Sequence, residues 1–107
     1  MGISTHVLDT SLGRPAKGVA VTLLLQADDT WSEVARGVTD ADGRVKPLLA
    51  VLKAAGHYRI VFETGAYLGA DAFFPQVQID FRVSATGEHY HVPLLLNPFG
   101  YSTYRGS

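Results

Sequence analysis

Apolar and polar residues alternate with a period of two along much of this 107-residue chain. In VQIDFRV, Val77, Ile79, Phe81 and Val83 fall on one side and Gln78, Asp80 and Arg82 on the other, the pattern of a strand with one face in a core. YRIVFE repeats it with Tyr58, Ile60 and Phe62, and VAVTLLLQ, from Val19, is apolar enough for a more central strand. Turn-forming residues punctuate these runs: GRPAKG at 13–18, the segment 28–30, DADG at 40–43, ATG at 85–87 and NPFG at 97–100. Short strands joined by tight turns at this spacing predict an antiparallel β-sandwich. Two stretches depart from the pattern. PLLAVLKAAG at 47–56 fits a short helix, with Leu48, Val51, Leu52 and Ala55 on one side, as well as it fits an irregular edge strand. TGAYLGADA at 64–72 opens with a capping-type threonine and lacks β-branched residues after it, which predicts a short helix crossing between strands.

Composition narrows the classes of function. Hydrophobic residues make up 47% and charged residues 18%, with a net charge of −1, so the chain reads as one globular domain over 1–107 with no basic surplus for nucleic acid or an acidic membrane. The absence of cysteine removes disulfides, thiolate metal sites and cysteine nucleophiles together. MGISTHVLDT has no basic segment followed by an apolar run, and no apolar stretch reaches spanning length, so the expected setting is cytoplasmic, without a membrane partner.

The polar groups concentrate near the two ends of the sequence. Residues two apart on a strand share a face, so His89 and His91 project together, and Pro93 and Leu95 follow them. After NPFG the chain can return as a hairpin, with Ser102 and Tyr104 on one face against Tyr101, Thr103 and Arg105 on the other. In THVLD, His6 lies beside Leu8, opposite Thr5, Val7 and Asp9. Each feature has a plain structural reading. His6 fits a hydrogen-bonded strand histidine, Arg44 a solvated arginine after its turn, and the tyrosines packing with hydroxyls at the rim. His89 and His91 could hold a metal, but the sequence supplies no definite third ligand. The residues alone lead to a sandwich with one histidine-bearing face.

Taken together, ISTHVLDTSLGRPAKGV, TDADGR and HYHVPLLLNPFGYSTYRGS resemble, in order and spacing, the transthyretin-related family of 5-hydroxyisourate hydrolases. The likeness runs from Ile3 to Ser107, and YRGS is the part that separates these hydrolases from the hormone-carrying transthyretins. Asn97 stands where a serine is common. The resemblance implies a mainly β, prealbumin-like sandwich of two sheets with one short helix at 64–72. It also implies a homotetramer with sites in the channel where two dimers meet, and chemistry without a cofactor or metal. Carried onto this sequence, the catalytic residues are His6, Arg44 and His91, and the substrate-binding residues are His6, Arg44, Tyr104 and Ser102, with Arg105 to Ser107 shaping the pocket.

The reaction so implied is hydrolytic opening of 5-hydroxyisourate, a product of urate oxidation, to 2-oxo-4-hydroxy-4-carboxy-5-ureidoimidazoline. A histidine titrating near neutrality suits removal of a proton from the attacking water, and an arginine suits stabilisation of the oxyanion. His91 is favoured as the base over His6, with His89 outside direct contact. Two other readings stand beside this one: a non-catalytic transthyretin-like module carrying a small aromatic ligand, and a metal-dependent hydrolase using the paired histidines. The first would leave ionisable groups buried for no purpose, at a desolvation cost.

Overall fold

Where the alternation is strict, the chain is extended. The computed structural model describes residues 2–107. In order along the chain it contains β1 (Ile3–Asp9), β2 (Arg14–Pro15), β3 (Ala20–Ala27), β4 (Thr30–Val38), β5 (Arg44–Leu49) and β6 (Gly56–Phe62). There follow α1 (Thr64–Leu68), a 3₁₀ turn (Gly69–Asp71), β7 (Val77–Val83), β8 (Tyr90–Asn97) and β9 (Gly100–Thr103). The four-stranded sheet has the order β4-β3-β6-β7, so β3 is internal, as its apolar sequence predicts. In the five-stranded sheet the order is β2-β1-β8-β9, with β5 also paired to β1.

Each sheet turns one face inward. Val21, Leu23, Tyr58, Ile60, Phe62 and Val77 from the four-stranded sheet meet Ile3, Val7, Val92, Leu94 and Leu96 from the other, all buried in one cluster. Each such large side chain contributes roughly 1.5–3 kcal/mol on leaving water. In β1 the inward residues Ile3, Thr5, Val7 and Asp9 are buried, while Ser4, His6 and Leu8 stay half-exposed on the outer face. In β8, Tyr90, Val92, Leu94 and Leu96 are buried, and His91 and Leu95 lie on the outer face.

Several local features differ from what the sequence predicts, or settle what it left open. One pair, β1 with β8, is parallel. Alternation fixes which face a residue takes but not the direction of a neighbour, and strands from opposite ends of the sequence have no turn to impose antiparallel pairing. The buried Thr5 hydroxyl closes this pair by donating to the Val92 carbonyl at 2.6 Å. In 47–56, Pro47 to Leu49 extend β5 along β1, and the chain then runs irregularly to β6 with Leu52 plugged into the core. The helix at 64–72 forms as α1 plus the 3₁₀ turn, but Thr64 does not cap it. Glu63 occupies the cap position without a side-chain capping bond, and the buried Thr64 hydroxyl donates instead to the Phe74 carbonyl at 2.6 Å. Within the predicted turn at 13–18, Arg14 and Pro15 pair with β1 as β2.

The helix is tied to the five-stranded sheet by one buried carboxylate. Burial disfavours ionisation of Asp9, but hydrogen bonds from the Tyr67 hydroxyl (2.6 Å), Ser11 and Leu12 outweigh that and hold its pKa below the usual carboxylate value. Burial, together with the bond to Asp9, pushes the Tyr67 phenol up to about 12. Among the described residues, no helix is long and apolar enough to cross a membrane.

Candidate active site

The outer face of the five-stranded sheet is built in rows, because paired residues on adjacent strands project to the same side. Arg44 is opposite His6, His6 is opposite Pro93, and Ser4 is opposite His91. One row therefore reads Arg44, His6, Pro93 across β5, β1 and β8; the next reads Ser4, His91. With strands about 4.8 Å apart and residues about 3.3 Å apart along them, His6 and His91 are roughly 8 Å apart at the backbone. That spacing lets two imidazoles approach one small ring from the same side.

Arg44 owes its place to the DADG turn. The Asp40 carboxylate accepts the backbone N–H groups of Asp42 and Arg44 at 2.9 and 3.0 Å. Gly43, at φ +75°, turns its carbonyl to accept the Val7 N–H at 2.7 Å. A side chain there would meet the Val7 carbonyl oxygen, so glycine lets the turn dock on β1 and sets Arg44 beside His6.

The tail reaches the same face through a broken ladder. β9 pairs with β8 from Asn97↔Gly100 to Leu94↔Thr103, and pairing resumes as a bridge between His91 and Gly106. This register sets Tyr104 opposite Pro93, which has no N–H to give, and the ladder lapses there. The Pro93 carbonyl instead accepts the Thr103 hydroxyl at 2.7 Å. The Gly106 N–H donates to the His91 carbonyl at 2.8 Å, and a Cβ at 106 would overlap the His91 ring. Glycine in YRGS thus leaves the space that the imidazole fills.

Of the residues singled out by sequence, Arg44, His6 and His91 come together on this face. Tyr104 lies past the end of β9, 59% exposed, and shares a cleft with His91 and Arg105 and with Asp80 and Arg82 of β7. Ser102 does not join them within one chain. It pairs with Leu95, in the row of Leu8, about 13 Å along β8 from His91. Arg105 turns away, donating to Glu88 at 3.2 Å and lying over the Tyr90 ring at 4.7 Å.

Ser4 was absent from the sequence-derived set. Its Oγ lies 2.8 Å from His91 Nδ1 and 2.8 Å from His89 Nε2, so His89, expected to stand apart, is linked to His91 through one hydroxyl. The available signal was parity, since Ser4 is two residues from His6 and shares its face. The missing information was the parallel register that sets it against His91.

The electrostatics favour a neutral imidazole at His91. Burial, then the positive charge of Arg44, then His6 and His89, push the His91 pKa below its ordinary 6.5. On the β5 side of the histidines lies a cleft of about 170 Å³ lined by Ser4, Thr5, Arg44, Lys46, Pro47 and His89, basic and without a carboxylate. Such a lining suits an oxygen-rich, anionic ring.

The HIUase/Transthyretin family model matches residues 3–106. A 5-hydroxyisourate hydrolase of Salmonella dublin is 50% identical over 109 residues, covering 98% of this chain and 80% of the relative. Among solved structures, the 5-hydroxyisourate hydrolase of Klebsiella pneumoniae superposes with a TM-score of 0.87 at 42% identity, covering 100% of both chains. A sea bream transthyretin in complex with thyroxine superposes with a TM-score of 0.91 at 34% identity, covering 99% of this chain and 95% of the other.

Proposed function

This chain belongs to the HIUase/Transthyretin family, and from that membership we infer that it is a 5-hydroxyisourate hydrolase, opening a cyclic amide C–N bond of that ring with water. The observation that carries the reading is the row Arg44–His6 beside Ser4–His91 on one sheet face. An apolar carrier of small aromatics gains nothing from a half-buried arginine beside histidines, which cost desolvation. The fold is common to carrier and hydrolase, so the side chains on this face decide the function.

In the mechanism we propose, neutral His91 takes a proton from water as its oxygen attacks the ring carbonyl. The Arg44 guanidinium stabilises the developing oxyanion and remains charged throughout. As the C–N bond breaks, the protonated imidazole returns its proton to the leaving nitrogen, and His6 and Tyr104 hold the ring. The product acid ionises, releasing one proton overall. Ser102 would contact substrate only where a second copy brings it near.

The assembly we propose is a homotetramer with sites where two dimers meet. It is supported by the unpaired edges of β7 and β9 and by exposed Leu12 and Phe99 in the loops flanking the outer face, 57% and 75% accessible. The cytoplasmic setting expected from the sequence is part of the same proposal.

Purified protein added to freshly generated 5-hydroxyisourate should speed its ultraviolet decay well beyond the spontaneous rate. Prolonged chelation should leave that acceleration unchanged. No acceleration would put the ligand-binding module first, and loss on chelation with recovery on zinc would put the metal-dependent hydrolase first.

A further inference from the structure

Ser4 Oγ stands between two imidazole nitrogens, His91 Nδ1 and His89 Nε2, at 2.8 Å from each. A serine hydroxyl has one proton, so it can donate to only one of them and must accept an N–H from the other. When both rings are neutral, their tautomers are therefore complementary. The His91 ring is also fixed in direction. Nδ1 faces Ser4 on β1 and Cδ2 faces Gly106 on the tail, so the Cε1–Nε2 edge is the one presented away from the sheet. Only Nε2 is left to meet water above this face, and it can accept a proton only if Nδ1 carries the hydrogen.

We propose that Ser4 is a positioning residue that holds neutral His91 as its Nδ1–H tautomer, with His89 accepting the Ser4 hydroxyl proton, so that His91 Nε2 faces the substrate as the base. The arrangement rests on the hydrolase reading for its purpose and on the hydrogen-bond geometry for its existence. In sequence, His91 Nδ1–H donates to Ser4 Oγ, the Ser4 O–H donates to His89 Nε2, and His89 keeps its own hydrogen on Nδ1, toward solvent. The cation of Arg44 on β5, with His6 on β1 and His89 on the same face, favours the neutral His91 ring over the imidazolium, and the Ser4 bonds then select its tautomer. Lys46 on β5 shares the cleft with Arg44. The relay also assigns His91, and not His6, as the base, because it orients His91 and leaves His6 outside the chain of bonds. It is the logic by which a partner bonded at one imidazole nitrogen sets the chemistry of the other.

The test reads the tautomer directly. Nitrogen-15 NMR of the wild-type imidazoles above the His91 pKa should place the His91 hydrogen on Nδ1 and that of His89 on Nδ1. Ser4→Ala should shift His91 toward Nε2–H and lower kcat by at least about tenfold with little change in KM, without displacing the thermal transition. Ser4→Thr, which restores the hydroxyl, should recover the tautomer and most of kcat. His89→Ala frees the Ser4 proton to turn toward His91 and should shift the tautomer as Ser4→Ala does. A wild-type His91 carrying its hydrogen on Nε2, or a Ser4→Ala variant with tautomer and kcat unchanged, would overturn the proposal. If the wild-type protein hydrolysed nothing while the tautomers were as expected, the hydrolase reading would fail and the hydrogen-bond assignment would stand.

Discussion

At the scale of single residues, the proposed mechanism depends on keeping one imidazole neutral beside a permanent cation. Because His91 is held below its ordinary 6.5 and its neutral form is the proposed base, kcat/KM should be level near neutrality and fall on acidification, with a midpoint below 6.5. A profile measured to acid pH on fresh substrate checks this, and a midpoint above 6.5 would assign the titration elsewhere. Stability follows the same sign. The unfolded chain protonates this histidine first, so acidification from 6.5 through the folded pKa favours unfolding. Substitution separates chemistry from packing: His6→Ala, Arg44→Ala and His91→Ala should each lower turnover at least roughly a hundredfold, with the thermal transition little moved. His89→Ala, acting through a hydroxyl, should cost less than His91→Ala. A severe His89→Ala beside a mild His91→Ala would mean that the face assignment is displaced by one pair.

Elements matter here through how they end. β9 stops at Thr103 because the next residue meets Pro93, and the tail then bridges back at Gly106 onto His91. The segment after β9 is thus held against β8 through the Gly106 N–H bond to the His91 carbonyl, while the core cluster contains none of its residues. Deleting residues 104–107 should abolish most activity while the sandwich still folds. Gly106→Ala should do much the same, because the added methyl must displace the His91 ring. An extension after Ser107 should impair turnover more than an equal extension before Met1. Circular dichroism and turnover on matched proteins test the set, and a fully active truncated protein would reduce the tail to packing.

For the whole molecule the question is what covers the outer face. A sheet face carrying Arg44, His6 and His91 beside Leu8, Pro93 and Leu95 mixes charge with apolar surface, as a lined channel between copies does. Sedimentation should give a particle near four times the 11.5 kDa chain. A stable, fully active monomer would remove the shared channel and, with it, any part for Ser102, which one chain keeps two rows from His91.

The sequence by itself determined which residues face which way. Period-two alternation put Ser4, His6 and Leu8 on one side of β1 and His91 and Leu95 on one side of β8, because successive side chains of an extended chain must oppose. Turn residues at 40–43 and 97–100 placed Arg44 and the returning tail, since backbone geometry there is local. It could not say that β1 and β8 run parallel, that Ser4 therefore meets His91, or that the tail bridges back onto His91 at Gly106. Those are contacts between segments some 85 or more residues apart or across a ladder interrupted by proline, and no local pattern encodes register between strands that share no turn. Thr64 makes the same point in small. Its type suits a helix cap, but the neighbouring Phe74 carbonyl, brought close only by the tertiary fold, takes the hydroxyl instead.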